Sequence, residues 1–183
     1  VFIDQANNKG ETIAVTSEGW KTMIAAPLKF RNKDSLLPLV NQDRDGNPKT
    51  ILKYLNLKRE EDEIIFMTCL VLCPLVHVVR PIIMFLGPEN SAKTCAARMF
   101  REVFDPYDPT FSNCKWTEHN LALSFYHNAI PLYDNISGLQ QSASDLFCRA
   151  ATGGAISKRA QYADSLQVSL NFQRLILMTS IDI

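Results

Sequence analysis

Apolar positions fall into short runs separated by helix-patterned polar segments from about residue 60 onward. We expect a helix over residues 60–79, because its acidic start suits a helix N-terminus, and a strand over 82–86. The pattern further predicts helices at 93–104, 117–126 and 142–151, strands at 129–133 and 175–179, and a hairpin within 159–172. Helices that alternate with apolar strands predict an α/β fold with a mostly parallel sheet flanked by helices.

The first fifty residues have a different pattern. Glu11–Thr16 alternates and is β-branched, whereas 41–50 is polar and rich in turn residues. We therefore expect a small β-rich segment with a linker over 1–50 and a second domain over 51–183. That domain is expected to continue beyond residue 183, because the chain stops just after its last apolar strand.

Composition limits the classes of function. Of 183 residues, 46% are hydrophobic and 21% charged, which is typical of a globular domain. Nineteen basic and nineteen acidic residues give a formal net charge of +0, so no bulk field attracts nucleic acid or an anionic membrane. The longest apolar run, 64–79, is too short to span a bilayer and contains Pro74. With no basic signal segment at its start, the chain is expected to be cytoplasmic, with no membrane partner.

Five cysteines lie at positions 69, 73, 95, 114 and 148. No pair has the CxxC spacing of a zinc site, and the three histidines are scattered. We expect buried free thiols in a reducing compartment, and no metal site built from His and Cys.

The strongest chemical signal is the segment GPENSAKT at residues 87–94, between the apolar strand and a helix start. It matches the phosphate-binding P-loop pattern G-x-x-x-x-G-K-[ST] in the context that the pattern requires. Backbone N–H groups would bind the phosphates of ATP, Lys93 would neutralise the β- and γ-phosphates, and Thr94 would ligate Mg²⁺. The predicted nucleotide-binding residues are Gly87, Pro88, Glu89, Asn90, Ser91, Ala92, Lys93, Thr94 and Cys95.

Ala92 stands where the pattern has glycine. It costs little if its backbone is helical, but it is strained if φ is positive.

A second acidic residue is expected at the end of another strand, and Asp134 follows the apolar run 129–133. It would hold Mg²⁺ together with Thr94. Its neighbour is Asn135, where many ATPases carry a glutamate that activates water. An amide can orient a water molecule but cannot take its proton.

Four ordered motifs go beyond a general P-loop argument. They are Ser91-Ala92-Lys93-Thr94, the DNISGL run at 134–139, the FCRAATGG run at 147–154 that continues to Arg159 and Tyr162, and the RLILMTS run at 174–180. Together they resemble superfamily 3 helicases and related phage and bacterial primase–helicase-like ATP-binding proteins.

The resemblance implies a RecA/AAA-like core, often a ring of six subunits, that couples ATP hydrolysis to movement on single-stranded or duplex DNA. Lys158 and Arg159 would contact DNA phosphates, or Arg159 would act as an arginine finger; a solvated charge pair in a turn is the open alternative. Thr179 takes the place of the sensor asparagine, and its hydroxyl can bond water or γ-phosphate. Arg149 and Arg174 are further candidates, with structural pairing as the alternative.

Two functions follow. The first is a helicase-like ATPase motor in phage or mobile-element DNA replication, with Lys93, Asp134, Asn135, Thr179 and Arg159 as its catalytic set. The second is a nucleotide-dependent regulatory switch with slow hydrolysis and no translocation, which the residues at 135 and 179 and the neutral net charge favour. A small-molecule kinase is a weaker option, since no basic lid segment follows the loop.

Overall fold

Residues 1–24, 26–30, 35–75, 78–108, 116–159 and 167–181 are described by the structure, which is a computed structural model; the side chains of 156–159 and 167–168 lie outside the described part. The chain divides into two compact units. One comprises Val1–Val78 with Arg98–Thr110, and the other comprises Val79–Ala97 with Phe111–Ile183. The boundary predicted at residue 50 stays a prediction.

The first unit begins with an antiparallel sheet of three strands in the order β1-β2-β3. These strands are β1 (Phe2–Asp4), β2 (Glu11–Thr16) and β3 (Gly19–Ile24). The predicted strand at Glu11–Thr16 is confirmed. A tight turn joins it to β3, with Thr16 paired to Gly19.

Two helical segments follow, a 3₁₀-helix at Pro48–Tyr54 and helix α1 at Glu60–Leu72. The prediction that α1 reaches residue 79 is wrong. Pro74 has no N–H to donate, so the helical hydrogen-bond ladder stops there, although Cys73 keeps helical angles and the apolar run continues. The ring of Phe66 in α1 packs edge-on against Phe100, with centroids 5.1 Å apart.

The second unit is organised around a parallel sheet of three strands in the order β4-β8-β5. Strand β4 (Ile82–Leu86) has the predicted bounds, and β8 (Ile176–Ser180) lies one residue later than predicted. Strand β5 (Leu132–Tyr133) is shorter than predicted, because Pro131 offers no N–H to a ladder. Every residue of β8 is buried, as expected of the central strand.

Helix α2 (Lys93–Glu102) begins in this unit, but its residues from Arg98 onward belong to the first unit. Helices α3 (Glu118–His127) and α4 (Gln141–Thr152) belong to the second unit. Thr117 caps α3, since its Oγ1 accepts a hydrogen bond from the Asn120 N–H at 3.3 Å. Asp145 lies one turn into α4, where the Gln141 amide donates to its carboxylate at 2.8 Å. The core of this unit is formed by side chains that include Leu121, Phe125, Tyr133, Leu146, Phe147, Phe172, Ile176 and Met178.

The predicted hairpin corresponds to an antiparallel pair, β6 (Gly154–Arg159) and β7 (Gln167–Phe172). Pairing begins at Gly154, five residues earlier than predicted, and residues 160–166 lie outside the described part.

The described cysteines fall into two groups. Cys69 on α1 and Cys73, which directly follows α1, are buried free thiols, as expected. Cys95 and Cys148 are free but exposed, so the expectation of burial is wrong for these two, and Cys114 lies outside the described residues. Within the described residues, no helix combines the length and the apolarity needed to cross a membrane.

Candidate functional site

Polar residues collect at the carboxyl edge of the parallel sheet, the edge at which α/β sheets bind ligands. Gly87 follows β4, Asp134 follows β5, and Thr179 lies in β8 between them. The register sets Thr179 beside Phe85 of β4, and Met178 beside Tyr133 of β5. All three site segments therefore meet at one edge, within the second unit.

Residues 87–94, here called the 87–94 loop, have a backbone that few sequences accept. Asn90 and Ala92 are in the left-handed region, with φ of 59° and 61°. Asparagine tolerates this region, whereas alanine does not, at a cost of about 1–2 kcal/mol. Of the two alternatives for Ala92, the structure has the strained one.

Gly87 is needed for space and not for its φ. A Cβ built on Gly87 would meet the Ser91 Oγ at 2.8 Å, which is closer than real Cβ atoms approach. The loop therefore folds back tightly on the end of β4.

Lys93 begins α2 and directs its ammonium into the loop. The Nζ donates to the Gly87 carbonyl at 2.8 Å, to the Pro88 carbonyl at 2.6 Å and, more weakly, to the Ser91 Oγ at 3.4 Å. An ammonium has three protons, so all its donors are satisfied by the loop itself.

The loop also presents backbone donors. Within the described part of the chain, the N–H groups of Ala92, Lys93 and Thr94 find no acceptor. They lie at the N-terminus of α2, whose ten residues add a partial positive charge there. The arrangement can accept an anion.

Asp134 is the point at which the three segments meet. Its Oδ1 accepts the hydroxyl protons of Thr94 at 2.8 Å and of Thr179 at 2.6 Å. Within the described residues, its Oδ2 accepts no hydrogen bond. One carboxylate oxygen is thus fixed by two hydroxyls, and the other is left for a further ligand.

Asn135 contributes through its backbone. Its φ is 55°, in the left-handed region, and its N–H donates to the Thr179 Oγ1 at 2.8 Å. Its side chain is exposed. A role for that amide in orienting water stays a prediction.

Sequence reasoning missed Ser180 beside this site. Its Oγ donates to the Ile136 carbonyl at 2.6 Å, and the Ile136 N–H donates to the Thr179 carbonyl at 2.8 Å. These bonds extend the pairing of β5 with β8 past Tyr133. Two adjacent hydroxyl residues at the end of an apolar strand were the available signal.

The side chains of the remaining candidates that the structure describes are exposed or are paired with other parts of the chain. Pro88, Glu89 and Cys95 are exposed. Arg174 donates to the Phe125 carbonyl at 2.6 Å and to the Gln173 carbonyl at 2.9 Å, which is the structural pairing offered as its alternative.

Arg149 pairs with Glu118 at 3.6 Å on the surface. Lys158 and Arg159 are in β6, but their side chains lie outside the described part. Among the described residues, no three His, Cys, Asp or Glu side chains come together to hold a metal ion.

Comparison with known proteins gives one family. Residues 49–183 match the model of the family described as actinomycete integrative conjugative element replication protein. The matched range is well over half of the chain and contains the 87–94 loop, Asp134 and Thr179. No curated protein matches the chain. No solved structure matches it either.

Proposed function

Because the chain belongs to the family of actinomycete integrative conjugative element replication proteins, we propose that it is an ATPase that drives a helicase-like step in replicating a mobile element. The reaction would be hydrolysis of the β–γ phosphoanhydride of ATP. The observation that carries this proposal is the Asp134 carboxylate, which is held by Thr94 from the 87–94 loop and by Thr179 from the central strand.

Support for phosphate binding comes from the 87–94 loop. The three N–H groups without acceptors, the helix N-terminus and the ammonium of Lys93 all favour a polyanion at this place. Phosphate oxygens would replace the loop carbonyls as acceptors for Lys93. The tight turn at Gly87, which a Cβ would disrupt, is also consistent with a loop that wraps around phosphate.

The donor set also fits Mg²⁺, which prefers hard oxygen ligands. The Thr94 hydroxyl donates its proton to Asp134 and so keeps its oxygen lone pairs for a cation. The free Oδ2 of Asp134 would bind the ion directly or through water. When bound, Mg²⁺ would neutralise charge on the phosphates.

Strand order adds support for a hydrolytic site. With β8 between β4 and β5, a third polar residue reaches the same edge between the phosphate loop and the acidic residue. Side chains from three separate strands or strand ends therefore converge, which is how enzymes orient a reacting group.

Replacing Lys93 with alanine tests nucleotide binding. We expect Lys93→Ala to weaken Mg²⁺-ATP binding by about ten- to a hundredfold, because it removes a charged donor to phosphate. Isothermal titration calorimetry would measure the dissociation constant. Lys21→Ala is the matched control, since Lys21 is exposed on β3. Equal affinity in parent, Lys93→Ala and Lys21→Ala would contradict the proposal.

A second candidate is a nucleotide-dependent switch that hydrolyses ATP slowly and does not move on DNA. The observation that favours this candidate is Asn135. Its backbone N–H bonds to Thr179, but its side chain is an amide, which cannot accept the proton of the attacking water. Contacts of Lys158 and Arg159 with DNA, and a hexameric ring, belong to the motor proposal alone.

The steady-state rate of ATP hydrolysis with and without single-stranded DNA distinguishes the two candidates. A motor's rate should rise severalfold on DNA, because translocation is coupled to turnover. We expect this stimulation, and we expect Arg159→Ala to lose it. A rate that does not respond to single-stranded or duplex DNA would favour the switch.

A further inference from the structure

The hydroxyl proton of Thr179 is already donated to a protein acceptor. Its side chain is buried, at 1% exposure. Its single proton goes to the Asp134 Oδ1 at 2.6 Å, and its oxygen accepts the Asn135 N–H at 2.8 Å. A hydroxyl has one donor, so Thr179 cannot also donate to a phosphate or a water while this bond exists.

We infer that Thr179 is a positioning residue that fixes the Asp134 carboxylate for Mg²⁺, and not a sensor of the γ-phosphate. This inference rests on the proposed function and names the role of one residue in it. By holding Oδ1, Thr179 and Thr94 leave Oδ2 as the oxygen that faces the metal. Preset ligand orientation strengthens metal binding, because less freedom is lost on binding.

The same hydroxyl also shapes the backbone that carries the carboxylate. Asn135 holds a left-handed φ of 55°, and its N–H bond to Thr179 helps to stabilise that turn. The bonds of Ile136 and Ser180 lie one step further along and do not touch Asp134. Thr179 is thus the member of this junction that reaches the carboxylate.

A comparison of ADP with ATP separates the two roles. A γ-phosphate sensor affects ATP alone, since ADP has no γ-phosphate. A residue that positions the metal ligand affects the Mg²⁺ dependence of both nucleotides equally. Valine has nearly the shape of threonine without the hydroxyl, and serine keeps the hydroxyl.

The experiment measures ADP and ATP affinity over a Mg²⁺ titration in the parent protein and in Thr179→Val, Thr179→Ser and Ser180→Ala. In Thr179→Val we expect the half-maximal Mg²⁺ concentration to rise on the order of tenfold for both nucleotides, because a bond to a charged group is lost. Thr179→Ser should restore the parent value. Ser180→Ala, which removes the bond to the Ile136 carbonyl, should leave it unchanged.

Several outcomes would overturn the inference: a shift for ATP but not for ADP, no shift in Thr179→Val, or a shift of equal size in Ser180→Ala. If Thr179→Val does not fold, Thr179→Cys takes its place, since a thiol is only a weak donor. A parent protein that binds neither nucleotide would instead refute the proposed function, and the inference with it. A parent that binds both tests the inference alone.

Discussion

Ala92 has a methyl group where the backbone favours none. Its φ of 61° lies in the left-handed region, and the next residue is the first of α2. We expect Ala92→Gly to raise the free energy of unfolding by up to about 1 kcal/mol, because glycine relieves the strain but gains freedom in the unfolded chain. Chemical denaturation followed by circular dichroism would measure the change.

Ala96 is the matched control for this substitution. It lies one turn further on in α2, and its N–H donates to the Ala92 carbonyl at 3.0 Å. There the same change from alanine to glycine should lower stability by about 1 kcal/mol, since glycine is a poor helix former. Opposite signs at 92 and 96 are the expected result. A loss of equal size at both would mean that Ala92 is not strained.

Helices and strands that are bounded by clear start or stop residues were predictable from sequence. Pro81 and Gly87 bracket the apolar run of β4, and Thr117 caps α3, so both elements appear close to where they were expected. The range predicted for α1 was too long because the apolar run continues past Pro74. A proline there interrupts the helix whatever the hydrophobicity of the following residues.

The residues of the candidate site were predictable from sequence, but the hydrogen bonds between them were not. The P-loop pattern and the strand ends identified Lys93, Thr94 and Asp134, and the family resemblance added Thr179. The hydrogen bond from Thr179 to Asp134 depends on β8 lying between β4 and β5, and strand order arises from tertiary packing. The positive φ of Asn135 likewise depends on that junction, so local pattern alone did not predict it.

At the scale of the whole molecule, the family match and the compact units divide the chain differently. The match begins at residue 49, so it includes part of the first unit and all of the second. The three strands β1–β3 lie before it. The proposed chemistry needs only residues of the second unit, and the family assignment supports a replication role without specifying that chemistry.

Cysteine reactivity can test the burial of side chains in both units. Burial raises the pKa of the Cys69 thiol and lowers its thiolate fraction, and Cys73 is buried beside it. Cys95 and Cys148 are exposed. In the folded protein near pH 8, we expect iodoacetamide to alkylate Cys95 and Cys148 well before Cys69 and Cys73. Mass spectrometry of digested samples over time would measure each rate.

Adding nucleotide to the alkylation experiment tests whether the ligand binds at the 87–94 loop. Cys95 follows Thr94 directly, whereas Cys148 is in α4. A bound Mg²⁺-ATP should therefore slow alkylation of Cys95 severalfold and leave Cys148 unchanged, so that Cys148 serves as the control within the same molecule. Equal slowing at both would indicate a general stabilisation of the fold. No slowing at Cys95 under saturating nucleotide would place the ligand away from the 87–94 loop, since a triphosphate on that loop shields the first turn of α2.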